Sequence, residues 1–311
     1  MQVITDLEHF HSAPAVLTIG NFDGVHRGHQ QLLGLVRDRA RDLGVRSTVL
    51  TFDPHTRAVV RPDQPLQLLT QLPEKLAQME ALGLDQAVVI HFTREVAGKD
   101  ARTFLTELMR SLPIVELWVG EGFALGHHRT GNIEVLEALG EELGFGLRVF
   151  PPVREGETVI SSTAIREALA AGDVEQATDM LGRFYAVPGI VVPGARRGRE
   201  LGFPTANTTP PANQAIPADG IYATMTRRPR TGERLPSITS IGVRPTFGPS
   251  ARLIEVYILD FADDLYGEQL CIEFVDYLRP QVAYTGPEPL IRQMHEDLAR
   301  TREILAALPG A

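Results

Sequence analysis

Five apolar runs punctuate the first half of the chain: AVLTIG (15–20), STVLTF (47–52), QAVVIHF (86–92), ELWVG (116–120) and LRVFPPV (147–153). Between them the apolar positions fall at helical spacing. Leu32, Leu33, Val36, Ala40 and Leu43 recur every three or four residues, and Gly44 stands where a C-cap belongs. LPEKLAQMEALG, ARTFLTELMRSL and IEVLEALGEELG repeat the pattern. Mostly unalternating strands separated by helices predict a parallel sheet covered on both faces. Such a sheet binds ligands at the carboxyl ends of its strands. Two short helices follow, STAIREALAAG and DVEQATDMLG, each closed by glycine.

After about residue 184 the texture changes. Glycine and proline become dense, and short strands alternate: YAVPGIVV, GIYATMTRR, SITSIGV, LIEVYILDF and QLCIEFVDYL. This pattern predicts an all-β barrel or sandwich. One helix, EPLIRQMHEDLARTREILAAL, closes the chain. The break falls near residues 182–185, giving expected domains of 1–183 and 184–311.

Composition narrows the setting. A chain of 311 residues is too long for one ordinary core and suits two domains. No apolar run approaches the roughly 20 residues that span a bilayer. The opening MQVITDLEHF is acidic and lacks a secretory core. Cys271 is the single cysteine, so no intramolecular disulfide forms and a cysteine metal site is disfavoured. The expectation is a cytoplasmic protein with no membrane partner. A net charge of −9 argues against a nucleic-acid surface, while leaving room for a basic pocket that takes a small anion. Lys75 and Lys99 are the only lysines; nearly all positive charge is arginine.

The first strand leads into LTIGNFDGVHRGHQQLL (17–33), where a strand hands over to a helix. The first N–H groups of a helix are unpaired and its dipole is positive there, which favours phosphate. Gly20, Gly24 and Gly28 let the backbone turn and approach a ligand. His26 and His29 can donate to phosphate oxygens. No nucleophile is needed if the task is to stabilise charge in a phosphoryl or nucleotidyl transfer. Neither a P-loop nor a G-x-G-x-x-G fingerprint is present. Taken alone, two histidines at a helix start read first as surface or helix-cap chemistry.

GNFDGVHRGH resembles the His-x-Gly-His signature of nucleotidyltransferases, and specifically of the prokaryotic bifunctional riboflavin kinase/FAD synthetase family. ISSTAIR (160–166) is similar to that family's second signature. The resemblance implies a Rossmann-like nucleotidyltransferase domain followed by a riboflavin-kinase-type β-barrel with a terminal helix. Gly20, Asn21, Phe22, Asp23, Gly28, Ser162 and Thr163 would bind ATP. His26, His29 and Arg166 would act in transfer, Arg166 clamping the departing pyrophosphate. TFDPHT (51–56) resembles a segment near the flavin, which makes Phe52 and Pro54 candidate flavin contacts. VGEGFALG (119–126) departs from the family pattern: Gly122 stands where a polar side chain is typical and Leu125 where Phe is. This departure sets up the alternative of a monofunctional riboflavin kinase with an eroded adenylyltransferase domain.

GARRGRELGFPTANT (194–208) resembles the riboflavin kinase motif over about a dozen positions. The resemblance assigns Gly194, Gly198, Arg199, Gly202, Phe203 and Pro204 to ATP, and Thr205 and Asn207, on a short turn, to Mg²⁺. A hard cation takes oxygen ligands and needs few from protein when phosphates supply the rest. Glu255 in LIEVYILDF would accept the proton of the substrate hydroxyl. Strand alternation puts it on one face with Tyr257, opposite Ile254, Val256 and Ile258. Arg244 in GVRPTFG is a further candidate at the flavin or phosphate. Riboflavin, FMN and ATP are the expected small-molecule partners, with Mg²⁺ as cofactor.

Overall fold

A computed structural model of the chain describes residues 1–194, 202–243 and 252–308. Two compact units, Met1–Ser162 and Thr163–Ala311, divide it. The first unit runs β1 (Gln2–Ile4), β2 (Ala15–Ile19), α1 (Arg27–Leu43), β3 (Arg46–Asp53), α2 (Thr56–Val60), α3 (Leu72–Ala81), β4 (Gln86–His91), α4 (Arg94–Gly98), α5 (Ala101–Ser111), β5 (Ile114–Gly120), α6 (Ile133–Leu143), β6 (Gly146–Phe150) and a two-residue hairpin, β7 (Arg154–Glu155) with β8 (Thr158–Val159). α7 (Ser162–Ala171) crosses the division. The second unit continues with α8 (Val174–Leu181), β9 (Tyr185–Val192), β10 (Ala206–Thr209), β11 (Gly220–Arg227), β12 (Arg234–Val243), β13 (Arg252–Ile258), β14 (Gln269–Arg279) and α9 (Pro287–Ala306).

The predicted parallel sheet is present, in the order β1-β4-β3-β2-β5-β6, with every pairing parallel. Its central strands β2, β3 and β4 are buried on both faces and mostly apolar, with Thr18, Thr48 and Thr51 buried among them, while the edge strands β1 and β6 are largely exposed. Leu17, Ile19, Leu50, Val88 and Leu117 pack with Leu105 and Leu108 of α5 and Leu136 of α6. Val16, Val49 and Ala87 point the other way, onto Leu33 and Val36 of α1 and Met79 of α3. Burying each such side chain contributes about 1.5–3 kcal/mol. Gly44 ends α1 in the left-handed conformation, φ 67°. β6 stops at Phe150 because Pro151 and Pro152 have no backbone donors to extend the ladder.

α1 is also fastened electrostatically. Arg39 grips Glu116 of β5 as a fork, Nη2 to Oε1 at 2.7 Å and Nε to Oε2 at 3.1 Å. The guanidinium, with the Trp118 indole N–H, holds the Glu116 carboxyl below its ordinary pKa.

The second unit contains a closed antiparallel barrel, β10-β13-β12-β11-β14-β9. Of barrel and sandwich, the chain adopts the barrel. A buried hydroxyl chain joins Thr226, Ser237, Thr224 and Thr239, each contact 2.8 Å long. α9 is clamped to the barrel by Arg279 of β14, which forks onto Asp297 at 2.6 and 2.9 Å. The short helices α7 and α8 belong to this unit by contact. Val174, Ala177, Met180 and Leu181 are buried, and Ala218 donates to the Leu169 carbonyl at 2.9 Å. Composition changes where the strands begin, whereas contacts follow what the two helices pack against. The contact division therefore precedes the compositional break at 183/184.

Two glycines inside helices separate helix propensity from packing. A methyl at Gly34 of α1 would meet nothing within 4 Å, whereas one at Gly140 of α6 would lie 2.6 Å from the Phe145 carbonyl oxygen. Gly34→Ala is expected to stabilise the first unit by about 0.5–1 kcal/mol. Gly140→Ala is expected to destabilise it despite the same propensity gain. Opposite shifts of the first unit's urea midpoint check both.

Candidate active sites

Strand order reverses between β2 and β5, so their carboxyl ends open the crevice where such sheets hold ligands. The segment after β2 is GNFDGVH, and the segment after β5 is EGFALG. The first has an unusual backbone: Phe22, Gly24 and Val25 have φ of 49°, 85° and 39°. For a β-branched valine that conformation costs about 1–3 kcal/mol and persists only when its surroundings over-determine it. They do. The buried Asp23 carboxylate accepts the Leu69 N–H at 3.0 Å and the Thr70 N–H at 3.2 Å. Gly24 N–H donates to Thr70 Oγ1 at 2.7 Å. The Asn21 amide donates to Thr56 Oγ1 at 2.9 Å and accepts from Thr56 N–H at 3.2 Å. The Phe22 ring is core. The side chains of Asn21, Phe22 and Asp23 are thus engaged by the protein; what they contribute to a ligand is the shape of the backbone.

His26 caps the helix that opens at the candidate site. Its Nδ1 accepts the His29 N–H at 3.3 Å, closing the start of α1. The two imidazoles stack at 3.5 Å between centroids, 19° from parallel, and His29 also meets the Phe22 ring edge-on at 5.1 Å. A side chain at Gly28 would lie 3.2 Å from His26 Nδ1, so glycine lets the first turn lie against the ring. Burial, then His26 and Lys75 as neighbouring cations, push the His29 pKa well below its ordinary value. His29 Nδ1 is buried and has no partner among the described residues. Sequence reasoning missed Lys75, which lies in α3. Its Nζ donates to the Asn21 carbonyl at 3.1 Å and Thr51 Oγ1 at 2.9 Å. The signal was available: it is one of two lysines in an arginine-rich chain.

Ser162 Oγ donates to the Asp23 carbonyl at 2.8 Å, tying the start of α7 to the strained loop. Thr163 and Arg166 follow in α7, in the second compact unit. The segment after β5 is well ordered by local bonds. Leu125 and Gly131 exchange two backbone hydrogen bonds of 2.9 Å. Leu125 is buried in the core. Arg129 donates to the Gly122 carbonyl at 2.8 Å, so its guanidinium engages the backbone at the position that lacks a side chain. Phe52 is 7% exposed and packs on Phe92 and Phe104. It has at most a ring edge to offer a ligand. Pro54 follows it through a cis peptide bond and is exposed.

The second constellation sits on the barrel. Asn207 lies in strand β10, not in a turn, because β9 and β13 both need a partner for the barrel to close. β10 escaped sequence reading because ANTT holds no apolar residue beyond alanine. Its register places Asn207 directly opposite Glu255 of β13, and Glu255 in turn opposite Ser240 of β12. Directly paired residues share a face with Cβ atoms about 4.5–5.5 Å apart. Ile254, Val256 and Ile258 are buried while Glu255 and Tyr257 are half-buried, the alternation expected. Gly194 lies against the Asn207 amide: a methyl there would fall 1.9 Å from Nδ2. Phe203 is buried between Tyr257 and His295, ring centroids 5.3 and 5.2 Å away. His295 also lines a cavity of about 620 Å³ with Ile291, Arg292 and Ala299. Gly202, Pro204 and Thr205 lie on the approach to β10. Gly198, Arg199 and Arg244 fall outside the described residues. Among the described residues no group of three or more His, Cys, Asp or Glu could hold a metal ion, and no helix is long and apolar enough to cross a membrane.

Comparison with known proteins recognises both halves of the chain. The FAD synthetase family profile matches residues 9–164 and the riboflavin kinase profile residues 181–305. The bifunctional riboflavin kinase/FMN adenylyltransferase of Escherichia coli K12 is 35% identical over 308 residues, 97% of each chain. The protein of the same name from Listeria monocytogenes is 34% identical, covering 94% of this chain and 93% of its own. A Streptococcus pneumoniae crystal structure titled a macrolide-efflux protein superposes with a TM-score of 0.87 at 27% identity, covering 96% of this chain and 98% of its own. With a strained loop and stacked histidines at the sheet's switch point, and Asn207 paired with Glu255 on the barrel, the chain belongs to the bifunctional riboflavin kinase/FMN adenylyltransferase family.

Proposed function

We propose that the chain converts riboflavin to FMN in its barrel and FMN to FAD in its parallel-sheet domain, using ATP at each site. The carrying observation is that both family profiles match one chain whose bifunctional relatives align over nearly its whole length, and the loop after β5 that departs from the family pattern is still built. That loop is braced by Arg129 and by Leu125, which favours two activities over a lone kinase. The working domains are 1–183 and 184–311, with a cytoplasmic setting.

In the barrel, Glu255 accepts the proton of the ribityl 5′-hydroxyl as its oxygen bonds to the γ-phosphorus and the bond to ADP breaks. Thr205 and Asn207 offer only neutral oxygens. That donor set fits Mg²⁺, which keeps phosphate and water as its other ligands. Bound there, Mg²⁺ would neutralise charge on the phosphates. Gly194 leaves room for the Asn207 amide, while the resemblance assigns Gly198, Arg199, Gly202 and Pro204 to ATP. The open hollow along α9 beside His295 suits the flavin ring, and the resemblance keeps Arg244 as a flavin candidate. In the other domain, an oxygen of the FMN phosphate bonds to the α-phosphorus of ATP and the bond to pyrophosphate breaks. His26, His29 and the N–H groups opening α1 stabilise that charge. The resemblance assigns Thr163 and Arg166 to the pyrophosphate and Pro54 to the flavin.

Glu255→Ala is expected to lower FMN formation about 10²–10⁴-fold while FMN adenylylation continues. His29→Ala should do the reverse, slowing FAD formation about 10²-fold with parental kinase activity. Loss of both activities in either folded variant would defeat the two-site assignment. Gly194→Ala should reduce kinase kcat/KM about 10²-fold, because the methyl displaces Asn207. Separate assays of FMN and FAD by chromatography read all three.

A further inference from the structure

We propose that Lys75 is a positioning residue for adenylyl transfer: its buried ammonium pins the GNFDG backbone and sets a fixed positive charge beside the stacked histidines. This rests on the adenylyl-transfer reading of that loop.

Lys75 is 7% exposed. Burying an ammonium is costly unless it is hydrogen-bonded and balanced. Here two oxygens meet it, the Asn21 carbonyl at 3.1 Å and Thr51 Oγ1 at 2.9 Å. Thr51 Oγ1 also donates to the same Asn21 carbonyl at 3.2 Å, closing a three-membered network between β3, α3 and the loop. Asp23 and Asp53 supply the opposing charge, and desolvation still moves the Lys75 pKa below its ordinary value. No step of the transfer above uses this group. It is an unusual one to bury for packing alone, since a methionine would fill the space without desolvating a charge.

The chain has 30 basic residues and two lysines. The second, Lys99, pairs with Glu107 and is partly exposed. Where the protein buries a cation beneath the loop it uses the compact ammonium. A guanidinium is planar and larger, with five donors to satisfy, and two oxygens cannot satisfy it. The position of the charge has a second effect. The groups acting on His29 are His26 from the start of α1 and Lys75 from α3; both are cations when protonated, and both favour the neutral imidazole. A neutral ring keeps one N–H donor and does not attract a counter-ion in place of phosphate. Lys75 also holds Asn21, whose neighbour Phe22 packs edge-on against His29. One side chain thereby links loop shape to the protonation of the histidine.

The test compares Lys75→Met, Lys75→Arg and His29→Ala in the full-length chain, measuring kcat and KM for FAD formation from FMN and ATP across pH. FMN formation from riboflavin serves as the control. Lys75→Met should lower kcat at least about tenfold with a smaller change in KM. It should also move the acid limb of the profile to higher pH, since removing a neighbouring cation lets His29 protonate sooner. Lys75→Arg, which keeps the charge but not the fit, should hold the acid limb near its parental position while kcat falls. Should Lys75→Met fail to fold, Thr51→Val removes one of the two acceptors, and a reduced kcat for FAD formation is expected. Parental kcat and pH profile in Lys75→Met, or in Thr51→Val where that variant stands in, overturn the role of Lys75 if His29→Ala is impaired. If His29→Ala itself forms FAD at the parental rate, the reading of the loop falls first.

Discussion

The Asp23 carboxylate is the interaction on which the parallel-sheet site depends. By accepting the Leu69 and Thr70 N–H groups it ties the segment after β2 to the residues leading into α3. With the Thr70, Thr56 and Lys75 contacts, that tie sustains positive φ at Phe22 and Val25, because each conformation is unfavourable on its own. The strain has a geometric return. It turns the chain sharply enough for α1 to begin at Arg27, one residue after an imidazole that caps it. The histidine pair is therefore placed by backbone geometry and stacking, with little left to side-chain freedom.

Much of this was legible in the sequence, and the exceptions share a cause. Helices α1, α5 and α6 were readable because their apolar stripes and capping residues agree with one another. The central strands were readable because burial on both faces leaves them as mostly apolar runs, with small hydroxyl residues such as Thr18 and Thr48 among them. β10 was not, because its place comes from the edges of β9 and β13, which lie far along the chain. The same holds for the site. His26, His29 and Glu255 carry recognisable motifs, whereas Lys75 sits in an ordinary amphipathic helix. Only the fold reveals that its ammonium meets the Asn21 carbonyl, 54 residues earlier. Asn21, Phe22 and Asp23 show the converse. Their motif is legible, but whether their side chains face ligand or protein depends on Thr56, Leu69 and Thr70, which no motif marks.

The two sites use opposite physical strategies. The sheet site stores strain in a loop and holds it with buried polar contacts from several elements. The barrel site has regular strands and gains its geometry from register alone, Asn207 facing Glu255 and Glu255 facing Ser240 across three strands. Closure leaves no free edge along which those strands could slide.

That register has an arithmetic consequence for the lineage of the chain. Side chains on a strand alternate with period two, so parity along β10 matters more than the distance along the chain to it. Residues added or lost between Gly194 and Ala206 leave the pair intact as long as β10 enters the barrel in phase. A single-residue slip within β10 turns the Asn207 amide to the opposite face, and the Glu255 carboxylate then confronts a neighbour of different chemistry. Length variation among descendants of this fold should therefore stop abruptly at Ala206.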